Sequence, residues 1–352
     1  MKVIKAGVWL LIFLLTNCVG KTTTVQNATN EQTTGIVQSV LEENSDKVTT
    51  KESAPLLIGG RQYRGQLGER VEVEKGSWRI PNDPVNCTVD DIDKLFIMTL
   101  WIDPENPERR SSIENLESLY NLKELHIRGE NLDRVDFSPI SSLSNLEELE
   151  IEGNITHLPD MTRLERLNKI VIKNAALESL EGIGGAGIED LRIRTSATGN
   201  ITLKINNMTN LPNLIFFEFE GHEIDMRGIE RLVSLEYLII YDCEPFNLEG
   251  ICKLNNLKTL NINLISDNPS IDFLENMPSI TALNIIGNYQ VLDASPLATI
   301  KTLDRLYFIK LIIKNISALD VIDRLDPLRF DKSRLYDENE KSRHSIIYEV
   351  IH

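Results

Sequence analysis

Cys87-Thr88-Val89-Asp90 sets a thiol and a carboxylate three residues apart, a spacing on which a nucleophile and its charged helper are sought first. Five histidines (His126, His157, His222, His344, His352) are the candidate general bases. They are scattered, and none falls in an HExxH, GxSxG, phosphate-loop or dinucleotide-binding pattern. Glu148 and Glu150 fit a carboxylate pair, but any acidic strand carries such pairs. The four cysteines (Cys18, Cys87, Cys243, Cys252) form no CxxC unit and no Cys/His cluster, so neither a metal nor another cofactor is expected. A lone Cys and Asp far from any base are structural residues in most chains. No catalytic residue is assigned, and the chain is not read as an enzyme.

Cys18 has a different chemistry. It ends MKVIKAGVWLLIFLLTNC, in which Lys2 and Lys5 precede an apolar run over residues 6–15. The run is too short to span a bilayer and reads as an export signal. Leu15-Thr16-Asn17-Cys18 resembles the lipobox of bacterial lipoproteins, with Asn17 where a small residue is usual. The resemblance implies cleavage after residue 17, acylation of Cys18 and a place in the bacterial cell envelope, at the outer membrane or cell surface rather than free in the periplasm. Residues 18–55 are rich in Thr, Asn, Gln and Glu. They hold too little apolar surface to offset ordering entropy and are expected to act as a flexible tether.

The chain of 352 residues carries 53 acidic and 37 basic side chains, a net charge of −16. Loss of the leader removes Lys2 and Lys5 and no acid, leaving −18. That balance repels phosphate backbones and excludes nucleic acid as a partner. Contact with a membrane is left to the acyl chains on Cys18.

What positions the remaining residues is a repeat. LYNLKELHIRG, LSNLEELEIEGN, LERLNKIVIKN, LVSLEYLIIYDC and LNNLKTLNINL share two apolar residues separated by one. The pairs are Leu125/Ile127, Leu149/Ile151, Ile170/Ile172, Leu191/Ile193, Phe217/Phe219, Leu238/Ile240, Leu260/Ile262, Leu283/Ile285, Leu306/Phe308 and Leu328/Phe330, spaced by 21–26 residues. A looser copy is expected at Ile92, Leu95 and Ile97. A coil of this length cannot bury its apolar edge alone, whereas stacked copies bury one another's. The pattern is similar to the short leucine-rich repeats of the internalin class. The resemblance implies an α/β leucine-rich repeat solenoid: a parallel concave sheet with short helical or 3-10 segments on the convex side, such as residues 228–232 and 296–300. It also implies an Asn ladder after each strand, present at Asn154 and Asn288, with Cys243 an accepted substitute and Ser196, His222, Ile265 and Leu311 departing from it.

The expected division is therefore a leader (1–17), a tether (18–55), an N-terminal cap (56–112) with a hairpin around Lys75-Gly76 and with Trp78 and Cys87 inside, repeats (113–330) and a C-terminal cap (331–352). Cys243 and Cys252 are placed as buried free thiols, a disulfide between them being the alternative.

Strand alternation also lists the residues that face outward. The early coils show Glu124, His126, Arg128, Glu148, Glu150, Glu152, Lys169 and Lys173, charges of both signs. Later coils show Phe216, then Tyr237, Ile239 and Tyr241, then Ile286, Tyr307 and Ile309. An exposed apolar patch on a rigid sheet marks a contact site, so these seven residues are the expected binding face for a protein partner, in adhesion or host interaction. The alternative is a structural envelope protein that self-associates through the same patch. Two arrangements would bury the patch instead: the C-terminal tail or the 195–207 loop laid across it, or a one-residue slip in LYFIKLII (306–313).

Overall fold

The computed structural model describes residues 53–349 apart from 75–76, 81, 186, 197–200, 209–210, 265, 326–327, 338 and 340. The leader, Cys18, nearly all of the expected tether, Ile265 and the Trp78 side chain lie outside the described residues.

Two-residue alternation in successive coils generates one parallel sheet of 12 strands. They are β1 (Ile97–Ile102), β2 (Glu124–Gly129), β3 (Glu148–Glu152), β4 (Lys169–Ala175), β5 (Asp190–Thr195) and β6 (Phe216–Glu220). Then follow β7 (Tyr237–Tyr241), β8 (Thr259–Asn263), β9 (Ala282–Ile286), β10 (Arg305–Ile309), β11 (Leu328–Asp331) and β12 (Ile346–Glu349). They lie strictly in chain order. Met98 aligns with Leu125, Leu125 with Leu149, and the column continues through Ile170, Leu191, Phe217, Leu238, Leu260, Leu283, Leu306 and Leu328. A second column, two residues on, runs from Leu100 to Phe330, and both columns are buried throughout. Each such side chain contributes roughly 1.5–3 kcal/mol on burial. The fold is a leucine-rich repeat solenoid.

The returning segments carry 3-10 turns, among them Ser138–Ser142, Ile229–Arg231, Leu248–Lys253 and Ser295–Thr299. A coil of about 22 residues leaves room for only a turn or two, which 3-10 geometry spans more steeply than an α-helix. Their starts are written in the sequence. In Asp136-Phe137-Ser138-Pro139 and Asp293-Ala294-Ser295-Pro296 the aspartate accepts the serine N–H, at 2.9 Å in both, and proline follows where no N–H is needed. Asn115, Asn131, Asn247 and Asn315 precede other turns in the left-handed region, which asparagine tolerates better than most residues.

Coils are tied by a polar ladder at a position the sequence displays without announcing it. In most coils the residue before the first inward leucine or isoleucine is Asn, Ser or Thr (Arg166, Gly187 and Arg324 are the departures), and at several of these positions it bonds a carbonyl of the preceding coil. Asn145 donates to Tyr120 O (2.7 Å), Asn256 to Val233 O (2.8 Å), Ser279 to Leu257 O (2.9 Å) and Thr302 to Ile280 O (2.7 Å). The ladder expected after the strand holds at Asn154, whose Oδ1 accepts the Leu132 N–H at 3.0 Å. It fails at Asn288, which is exposed. There Gln290 takes over, its amide donating to Leu264 O and, at 3.2 Å, to Ser266 O.

Beside the main sheet run two three-stranded parallel ribbons: Thr202–Lys204, Glu223–Asp225, Glu244–Phe246, and Val291–Asp293, Ile312–Lys314, Arg334–Leu335. Each inward residue is a single apolar one, such as Leu203, Ile224 or Leu292, too brief a signal to stand out as a strand.

The first strand differs from the expected Ile92, Leu95 and Ile97. Ile92 lies in a 3-10 turn (Val89–Lys94), where Thr88 and Asp91 cap each other, and Leu95 is buried beside it. The strand starts after Phe96 and buries Met98, Leu100 and Ile102, leaving Ile97 on the outer side. IMTLWI is apolar on both sides, so its period is hidden. Ahead of β1, Leu56, Ile58, Tyr63 and Cys87 close the core, and Val71–Glu74 pairs antiparallel with Ser77–Arg79. Cys243 is a buried free thiol, but Cys252 is only half-buried, on the Leu248–Lys253 turn. At the other end β12 adds to β11 as a further parallel strand. The described C-terminal residues therefore extend the sheet edge and do not roof its face.

Candidate partner-binding face

The outward side chains of β2–β11 form three rows. In the β2–β6 half the rows are mostly charges, broken by Val171 on β4 and Phe216 on β6, and nearly all of those charges are matched, most of them across strands. Lys169 reaches Glu148 at 2.8 Å and Lys173 reaches Glu150 at 3.0 Å. Arg128 bridges Glu150 and Glu152, both at 3.3 Å. Arg194 bridges Glu218 (3.0 Å) and Glu220 (3.2 Å), and Arg192 holds Asp190 at 2.9 Å. His126 sits 3.7 Å from both Glu124 and Glu150. Contact with His126 and Arg70 holds the Glu124 carboxyl below its ordinary range. Burial pushes Glu150 up, yet Lys173, His126 and Arg128 hold it lower still. Half of the face thus neutralises itself, and a partner docking there would have to dehydrate pairs already made.

The β6–β10 half is different. Strand β7 alternates half-buried Tyr237, Ile239 and Tyr241 with buried Leu238 and Ile240, so LEYLIIY feeds the core with one side and presents apolar groups on the other. Phe216 lies directly across from Tyr237, ring centroids 6.2 Å apart and tilted by 32°. The Arg192 guanidinium covers the Phe216 ring at 4.6 Å. Ile239 stands between Glu218 and Asn261. Tyr241 is tied down: its hydroxyl donates to Glu218 Oε1 at 2.8 Å, and burial, then Glu218, push its phenol well above the ordinary value.

Ile286, Tyr307 and Ile309 also face outward and are half-buried, with Ile286 across from Ile309 and Tyr307 beside Asn284. No register slip occurs in residues 306–313: Leu306 and Phe308 are buried, and Lys310, with φ of 52°, ends the strand. The seven expected residues do not form one patch. Thr259, Asn261 and Asn263 of β8 separate the Phe216–Tyr241 group from the Ile286–Ile309 group, a gap of two strand spacings, about 10 Å. Asn284 bonds Asn261 at 2.6 Å across it.

Sequence reading missed the arginines that flank the rings. Arg192 lies over Phe216, and Arg329 lies over Tyr307 at 5.2 Å. The signal was present, an arginine one strand from an aromatic residue and within one row of it, but its meaning depends on register. Cys87 is fully buried, and burial raises its thiol pKa, the wrong direction for a nucleophile. Asp90 is exposed on the following turn. Among the described residues no group of three or more His, Cys, Asp or Glu side chains is placed to hold a metal ion, and no helix is long and apolar enough to cross a membrane.

No protein-family model matches the chain, and no curated protein matches it in sequence. Solved structures do. It is similar to an internalin of Listeria monocytogenes, 16% identical over 77% of this chain and 90% of that one with a TM-score of 0.44. An internalin C2 of the same organism is 17% identical over 70% and 85%, with a TM-score of 0.36. A leucine-rich repeat protein of Leptospira interrogans is 15% identical over 71% and 87%, with a TM-score of 0.32. Likeness at this level says nothing of partners, and the solenoid assignment rests on the strand register itself.

Proposed function

We propose that the chain is an exported, lipid-anchored bacterial repeat protein that grips a protein partner with the outer face of its sheet, in adhesion or host interaction. One observation carries this reading: Phe216, Tyr237 and Ile239 stand together on rigid strands, half-exposed, next to charges that are already paired. Aromatic rings on a fixed backbone offer contact area at small entropic cost. Cleavage before Cys18 and acylation of its thiol supply the anchor, each buried CH₂ contributing about 0.8 kcal/mol. Residues 18–55 give the anchored repeats reach, and 56–112 and 331–352 cap the stack, each adding one strand, β1 and β12, to the sheet.

The test is capture of an envelope or host protein by the chain and by a Tyr237→Ala/Ile239→Ser variant, with melting followed in parallel. Loss of capture at an unchanged melting temperature supports the reading. Equal capture by both chains defeats it.

A second reading is self-association at the sheet edge. Its observation is the exposure of Ile347 (41%) and Tyr348 (60%) on β12, since an edge strand with apolar side chains invites another strand. Sedimentation separates the two: a monomer above micromolar concentration rules out self-association.

A further inference from the structure

The acid-rich chain gathers unpaired arginines in one place. Arg61, Arg109 and Arg110 line an open cleft of about 460 Å³ with Gln62, Glu108 and Trp101, between β1, the strand Arg61–Gln62 and residues 104–110. Among the described residues none of these three guanidiniums has a carboxylate within ion-pair distance, whereas Arg70, Arg128, Arg134, Arg192 and Arg194 each hold one. Backbone carbonyls position two of them. Arg110 donates to Ile58 O (3.2 Å) and Gln62 O (3.0 Å), and Arg61 donates to Pro107 O. Carbonyls fix a guanidinium without cancelling its charge, so with Glu108 the cleft carries a local excess of two positive charges. Trp101 points outward from β1 and is 51% exposed, with the Arg109 guanidinium 5.8 Å from its ring centroid.

We propose that this cleft binds one terminal acidic sugar, a pyranose bearing a carboxylate. The exposed Arg109 side chain, which lies over the indole in the free chain, moves off it to take the carboxylate with Arg61. The uncovered indole face takes the C–H face of the ring, and the Gln62 amide, otherwise 3.5 Å from Cys87 O, takes a hydroxyl. Arginine forks match a carboxylate in two-point geometry, and the volume falls in the range of small-ligand sites. The walls around Trp101 are arginine, glutamine and one glutamate, so an apolar peptide side chain would find one ring face and no enclosure. A pyranose, apolar on one side and hydroxylated at its rim, fits those surroundings. The net charge of −16 turns away a long polyanion and leaves a single acid as the ligand.

The site is separate from the aromatic face of β6–β10, and its test does not depend on that face. The full chain is titrated with sodium glucuronate, with glucose and sodium acetate as controls, while the Trp101 indole N–H resonance is followed by NMR. Saturation by glucuronate at roughly millimolar concentration is expected, with glucose and acetate each at least about tenfold weaker. Arg61→Gln/Arg109→Gln, two exposed positions, should weaken glucuronate at least about tenfold at unchanged melting temperature. Acetate equal to glucuronate would reduce the cleft to a bare anion site, glucose equal to it would remove the role of charge, and no saturation would remove the site. Each of these overturns the proposal, as does full affinity in the double variant.

Discussion

The Tyr241 hydroxyl and the Glu218 carboxylate, on neighbouring strands, are joined by a 2.8 Å hydrogen bond at the centre of the sheet's outer face. Arg194 meets the same carboxylate oxygen at 3.0 Å, so the boundary between the charged and aromatic halves is itself fastened. Tyr241 is therefore a structural neighbour of the proposed contact residues more than one of them.

Tyr241→Phe removes one hydrogen bond to a buried carboxylate and should lower stability by about 1–2 kcal/mol. Tyr237→Ala, with no such bond to lose, should cost less than about 1 kcal/mol. Leu238→Ala between them should cost about 2–5 kcal/mol, because it leaves a cavity in the inner column. Urea denaturation of the three variants checks the order, and a Tyr237→Ala loss as large as that of Leu238→Ala would place Tyr237 in the core.

Asp225 is buried, and the Arg227 guanidinium beside it, with help from Asn247, holds its carboxyl down at about 2 against burial that pushes it up. A depressed folded pKa stabilises the fold above the unfolded value near 3.8, and that contribution fades as pH falls through about 2. Arg227 is largely exposed, so solvent screening keeps the contribution well below what the shift alone would suggest. Asp225→Asn should therefore lower the urea midpoint at pH 7 and converge on the parent chain as pH approaches about 2. A gap that stays constant with pH would mean that the charge of Asp225 contributes nothing.

Thiol labelling should rank the cysteines. In a Cys18→Ser chain at pH near 8, Cys252 should react first, being half-buried at a surface turn. Cys87 and Cys243 are buried with raised thiol pKa values and should label only on unfolding. Mass spectrometry of the native, alkylated chain reads the order, and early modification of Cys243 would contradict its placement in the core.

Processing is testable at the N-terminus. The mature chain should begin at Cys18 carrying acyl groups, and Cys18→Ala should release the protein from the membrane fraction. A mature terminus at any other residue would remove the anchor from the proposal.

The inner columns were legible because Leu, Ile and Phe repeat at fixed spacing, and burial strongly specifies the register of a two-residue alternation. The ladder role of Asn288 was not legible because the same carbonyls can be met by Asn or by a longer amide two residues on, and the reach of Gln290 depends on a side-chain path the sequence does not display. The side ribbons stayed hidden because one apolar residue per strand carries no period. Continuity of the aromatic face could not be read from single coils either. Tyr241 and Ile286 look alike in a list, and Asn263 between them becomes important only once β7, β8 and β9 are laid side by side.

Strand β7 carries two independent scripts on alternate letters. Leu238 and Ile240 are constrained by the coils on either side, whereas Tyr237 and Ile239 meet only other outward side chains, Phe216 among them. Substitution can rewrite the second script, rung by rung, while the first stays untouched, so the chemistry of the outer face is free to change without relearning how to fold.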